Sequence, residues 1–66
     1  MKIVLNGNEE TIVESLSLSG FLVNNNLKPG DVVVELNNAI IPVGDYDRTV
    51  LKENDSLEVL RFVGGG

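Results

Sequence analysis

Apolar positions recur along this chain with two different periods, and the switches between them mark out its elements. Met1 to Leu5 is an apolar, β-branched run that reads as a strand, with Ile3 and Leu5 on one side and Lys2 and Val4 on the other. Asn6-Gly7-Asn8 follows, and Asn-Gly between two extended runs is a strong hairpin signal because both residues tolerate positive φ. Glu9 to Val13 then returns antiparallel, with Ile12 pointing inward. Between Ser15 and Leu27 the period lengthens. Leu18, Phe21 and Leu22 fall at i, i+3 and i+4, the apolar stripe of a short helix. Ser17 is placed to cap it, its hydroxyl accepting from a first-turn N–H. Gly20 and the weak formers Asn24-Asn25-Asn26 hold the helix to about two and a half turns, and Lys28-Pro29-Gly30 stops it.

The second half is extended again. Val32 to Leu36 is a strand in which Glu35 sets the facing: Val32, Val34 and Leu36 inward, Val33 and Glu35 outward. Asn37-Asn38 turns the chain into a short edge segment, Ile40-Ile41-Pro42-Val43, where a proline is tolerated. Gly44 to Arg48 reads as irregular, with one helical turn around Tyr46, a half-buried plug with its hydroxyl in water. Thr49-Val50-Leu51 packs back, Lys52-Glu53-Asn54-Asp55 turns, and Leu57 to Val63 is the final strand. The order β-β-α-β-(short β)-β predicts an α+β fold, a mixed sheet of about four to five strands with one helix packed on one face. The other face stays open. If Leu57 and Val59 face the helix, alternation puts Glu58, Leu60 and Phe62 on that open face, joined by Val33 and Val4. A contiguous apolar patch of this kind marks a partner site; the competing reading folds Phe62 over the end of the sheet as core.

Composition narrows what such a domain can do. Sixty-six residues form a single domain, 1–66, with a stability of roughly 3–5 kcal/mol. The sequence has no Cys and no His, so neither disulfides nor soft metal ligands staple it, and the usual nucleophiles and bases are missing. Ten acids against five bases, a net charge of −5, argue against nucleic acid and anionic membranes as partners. The run Ile3 to Leu5 is too short for a signal peptide, and no run approaches membrane-span length. A cytoplasmic protein, monomeric when free, is expected. Asp45 and Asp47, or Asp31 and Glu35, could in principle hold Mg²⁺, but nothing desolvates them and they read as solvated surface. Ser15, Ser17 and Ser19 have no His to activate them. No metal site and no catalytic side chain is expected.

The end of the chain remains. The final strand runs straight into Gly64-Gly65-Gly66, which supply no side chain to pack and read as a flexible tail. Extended, three glycines reach on the order of 10 Å. They could carry a free α-carboxylate into a slot where any Cβ would clash, or could be no more than a frayed terminus. On the tail alone both readings stand.

Several stretches carry a family likeness: Met1-Lys2-Ile3-Val4-Leu5-Asn6-Gly7, then Val34-Glu35-Leu36-Asn37 with Ile40-Ile41-Pro42, then Val50-Leu51-Lys52 with Asp55, Leu57, Glu58 and Val59 before Arg61-Phe62-Val63-Gly64-Gly65-Gly66. On these the chain resembles ThiS, the sulfur carrier family of thiamin (thiazole) biosynthesis, along essentially its full length. Val43, Tyr46 and Asn54 stand where the family often has arginine, tryptophan and glycine; Asn54 can still adopt the positive φ that the turn needs. The resemblance implies a ubiquitin-like β-grasp. It also implies a protein co-substrate that is not itself an enzyme and binds no cofactor. An E1-like adenylyltransferase, ThiF, would use MgATP to adenylate the Gly66 carboxylate. A persulfide sulfur donor protein would then convert it to a thiocarboxylate, a C-terminal 1-thioglycine. Thiazole synthase, ThiG, would receive the sulfur, with Gly64 and Gly65 as the thread and Val4, Val33, Leu60 and Phe62 as the docking patch. The alternatives are the small subunit of molybdopterin synthase, a ubiquitin-like modifier, or an inert β-grasp binding module.

Overall fold

Asparagine makes both tight hairpins. Asn6 (φ 47°) and Gly7 (φ 87°) take the left-handed conformations of a two-residue turn whose twist matches the flanking strands. They join β1 (Lys2–Leu5) to β2 (Asn8–Thr11), with Leu5 opposite Asn8. Asn37 (φ 51°) and Asn38 (φ 72°) do the same between β3 (Val32–Leu36) and β4 (Ala39–Ile40). The computed structural model describes residues 1–62. The last strand, β5 (Ser56–Arg61), ends two residues short of the expected Val63, which with Gly64, Gly65 and Gly66 lies outside the described residues.

The five strands form one mixed sheet in the order β2-β1-β5-β3-β4. β5 is central, parallel to β1 and antiparallel to β3. The one α-helix among the described residues, α1 (Leu18–Asn24), covers one sheet face with Leu18, Phe21 and Leu22. These meet Ile3, Val32, Val34, Leu57 and Val59 from the strands to form the core. Leu5, Ile12 and Leu36 pack at its margin, the sides to which alternation assigns them.

The helix begins as expected: the Ser17 hydroxyl accepts from the Gly20 N–H at 2.9 Å. Its end differs. At seven residues it makes about two turns, and asparagine rather than proline stops it. Asn26 turns left-handed (φ 59°), so that its N–H reaches Val23 O (3.0 Å) and the Leu27 N–H reaches Leu22 O (2.8 Å). That pairing satisfies the last carbonyls and folds Leu27 back onto the core.

Three further segments correct the expectation. β2 stops at Thr11, before Val13, and β4 begins at Ala39 and ends at Ile40. Val43 opens a short 3₁₀ turn, Val43–Asp45, instead of continuing the edge. Tyr46 is core, 3% exposed, rather than a half-buried plug. Tyr46 belongs to the same buried cluster as Leu18, Phe21 and Leu22, and its backbone is tied to α1, where the Ser19 N–H donates to Tyr46 O at 3.1 Å. Burial raises the Tyr46 pKa above the usual phenol value. The neutral phenol therefore favours the fold, and that contribution is lost as pH climbs through the raised value. Thr49 to Leu51 docks beside the helix start, with Leu51 buried, through Leu18 N–H to Thr49 O (2.7 Å) and Leu51 N–H to Leu16 O (2.9 Å). Among the described residues, no helix is long and apolar enough to cross a membrane.

Candidate functional site

With α1 on one face, alternate residues of every strand point away from it, and β5 runs down the middle of that open face toward the C-terminus. Leu57 (0% exposed) and Val59 (9%) point at the helix, whereas Leu60 and Phe62 stand 64% and 56% exposed. Phe62 is therefore surface, not a lid over the core. Its backbone is nevertheless held, because the Phe62 N–H donates to Asp31 O at 2.8 Å, one residue beyond β5.

The register decides which expected patch residues meet. Val33 on β3 lies directly opposite Leu60, and Phe62 follows two positions along the same face. Val4 lies opposite Ser56, at the other end of β5. Four residues of strand, roughly 13 Å, separate that position from Leu60, and Glu58 stands between them. The structure thus brings Val33, Leu60 and Phe62 together and leaves Val4 apart. It also adds Ile40, 68% exposed, which pairs with Glu35 on the same face and lies diagonal to Val33. The signal for Ile40 was present: a two-residue Asn37-Asn38 turn fixes the β3–β4 register and hence which isoleucine faces out.

An acidic pair sits beside this patch. Glu35 and Glu58 are directly opposite on β3 and β5, and like charges so placed repel. Glu58→Lys should turn this repulsion into attraction and stabilise the free protein by about 0.2–1 kcal/mol. Thermal unfolding at low and high salt checks it: the gain should shrink as salt screens the pair. A variant less stable than the parent at low salt would show that the two carboxylates do not oppose the fold. The remaining charges are ordinary surface. Lys2 Nζ and Glu9 lie 3.7 Å apart with both side chains mostly exposed, and such pairs contribute little. Asp45 accepts from Arg48 at 2.7 Å, Asp47 accepts from the Ser19 hydroxyl, and Asp55 accepts from the Lys52 N–H at 2.7 Å. Among the described residues, no three acidic side chains converge as a metal site would require.

The arrangement presents apolar side chains on and just beyond the central strand, and in the sequence the glycines follow one residue after Phe62. The ThiS family model matches residues 3–66. The chain belongs to the ThiS family. The chain resembles the crystal structure of the thiamine biosynthesis protein (ThiS) of Geobacter metallireducens over 100% of both chains, at 33% identity and a TM-score of 0.85. The fold is accordingly the ubiquitin-like β-grasp. Two relatives are named thiazole synthase, from Magnetococcus marinus (41% identical over 66 residues) and Paramagnetospirillum magneticum (33%). The chain spans about a fifth of the length of each, 20%. Membership, together with that thiamine biosynthesis neighbour, supports a sulfur-carrier role in thiamine biosynthesis.

Proposed function

We propose that the chain carries sulfur on the carboxylate of Gly66 and delivers it to a thiazole synthase. A carboxylate is a poor electrophile. A ThiF-type enzyme would transfer AMP from MgATP to the Gly66 carboxylate, releasing pyrophosphate. The terminal sulfur of a protein persulfide would then form a bond to the activated carbonyl carbon as AMP leaves. Cleavage of the S–S bond by a thiol, which is oxidised to disulfide, would free the thiocarboxylate. The carrier contributes no catalytic side chain to any of these steps. It contributes a terminus thin enough to enter a partner's slot and a body for the partner to grip.

The observation that carries this reading is the exposed pair Leu60, on β5, and Phe62, one residue beyond it, shortly before Gly64-Gly65-Gly66 in the sequence of a ThiS-family chain. The match to one part of two longer thiazole synthases supports that enzyme as the recipient. The direct test is intact mass after incubation with MgATP, a ThiF-type enzyme and a persulfide donor. Replacement of one carboxylate oxygen by sulfur is the expected change. A chain that stays unmodified, or that instead appears as isopeptide adducts on lysines, would overturn the proposal.

Phe62→Ser tests the grip separately. Burial of an apolar side chain is worth ~1.5–3 kcal/mol, so affinity for the activating enzyme or for thiazole synthase should fall at least tenfold, about 1.4 kcal/mol. Because the ring is already 56% exposed, the melting temperature should barely move. Unchanged affinity for both enzymes, measured by calorimetry, would remove Phe62 from the docking surface.

A further inference from the structure

Asn6 and Asn37 occupy the same place in two different hairpins, the first position of a two-residue turn, with φ of 47° and 51°. Glycine also reaches that conformation without steric strain, so the turn by itself does not require either side chain. Both carboxamides reach across to β5. The Val59 N–H donates to Asn6 Oδ1 at 2.9 Å, and Asn6 Nδ2 donates to Val59 O at 3.3 Å. The Asn6 backbone N–H donates to Leu57 O at 2.8 Å. On the other flank the Ser56 N–H donates to Asn37 Oδ1 at 2.9 Å, while the Asn37 backbone N–H donates to Ser56 O at 2.8 Å. Asn37 Nδ2 is taken up by Asp55 Oδ1 at 3.0 Å.

The two clasps hold different ends of one strand. β1 pairs with β5 only at Val4–Ser56 and Leu5–Leu57 and then turns away at Asn6. Without the Asn6 side chain, the β1 flank of β5 would lose its partner just before the exposed residues Leu60 and Phe62. The carboxamide presents one donor and one acceptor, as a peptide group does, and continues the parallel ladder by one step. Asn37 grips the opposite end at Ser56, far from those residues.

We infer that Asn6 is a positioning residue: its carboxamide fixes the C-terminal half of β5, and with it the presentation of Leu60, Phe62 and the tail to the activating enzyme. Asn37 is a fold clasp without that role. The functional half of this inference rests on the proposed carrier activity; the clasp itself does not.

The test compares Asn6→Gly with Asn37→Gly in the full chain, since glycine keeps each turn and deletes each clasp. Amide hydrogen exchange followed by NMR should show Val59 exchanging at least about tenfold faster in Asn6→Gly than in the parent, after correction for global stability. In Asn37→Gly the corresponding change should fall on Ser56, with Val59 unaffected. Steady-state adenylation by a ThiF-type enzyme with MgATP should show a severalfold higher KM for Asn6→Gly with kcat retained, and a parental KM for Asn37→Gly. Asn6→Asp keeps the acceptor for the Val59 N–H and should recover part of the protection. Unchanged Val59 exchange in Asn6→Gly would overturn the clasp. An equal rise in KM in both glycine variants would overturn the positioning role, because general loosening of the fold would then explain it. A parent chain that is not adenylated at all would sink the carrier reading and the positioning role together, with Val59 exchange still deciding the clasp.

Discussion

A chain lacking Gly65 and Gly66 should fold like the parent and accept no sulfur. The deletion removes no side chain that could bury apolar area, so the melting temperature is expected to stay within about a degree or two, less than the shift that 1 kcal/mol produces in so small a domain. Thiocarboxylate formation should fall to background, because the new terminus at Gly64 would stop short of the activating enzyme's slot by roughly 7 Å of extended chain. Gly66→Ala keeps the length and adds one methyl group, and it should slow adenylation through crowding at the reacting carbonyl. Intact mass after incubation with MgATP, a ThiF-type enzyme and a persulfide donor reads both variants. A truncated chain that gains sulfur at the parental rate would show that the reacting group is not where the proposal puts it.

Leu57→Ala should do the opposite and destroy the fold. Leu57 is fully buried near the start of the central strand β5, opposite Leu5 on one flank and Leu36 on the other. Removing such a side chain costs about 2–5 kcal/mol, against a total stability of roughly 3–5 kcal/mol for a domain of this size without disulfides or metal. The variant should be largely unfolded at room temperature by circular dichroism, and a folded, cooperative protein would show that the core is less concentrated around β5 than its burial indicates. Val59→Ser, two residues along on the same face, should be nearly as damaging, since it places a hydroxyl against α1. Phe62→Ser, on the other face of the same segment, should leave the fold intact. One strand thus separates into positions that hold the domain together and positions that meet a partner, and the two classes alternate.

That alternation was legible from residue types. Leu57 and Val59 inward with Leu60 and Phe62 outward follows from a period of two once the segment is read as a strand with one buried face. The first hairpin was legible for a local reason: Asn-Gly favours the backbone that a two-residue turn demands. The helix start followed from Ser17 and the Leu18, Phe21, Leu22 stripe. Its end was misplaced because Asn26 competes for the C-terminal cap before Pro29 is reached, and a left-handed asparagine is a weaker signal in sequence than a proline. The burial of Tyr46 depends on residues far away in the chain. Acidic and glycine neighbours suggest surface, yet Tyr46 joins the buried cluster that includes Leu18, Phe21 and Leu22 of α1.

What the sequence determines by itself is therefore what depends on neighbours along the chain: the order of elements, the facing of β1, β3 and β5, and the two hairpins. Only the tertiary structure decides what depends on register between strands. It places Val33 against Leu60 but leaves Val4 at the far end of β5, and sets Glu35 opposite Glu58. It also turns Asn6 and Asn37 from turn formers into clasps on β5. The physical reason is the same in each case. A strand's facing is set by its own alternation, whereas its partner, its direction and its register are chosen by how the strands together bury one shared core under α1.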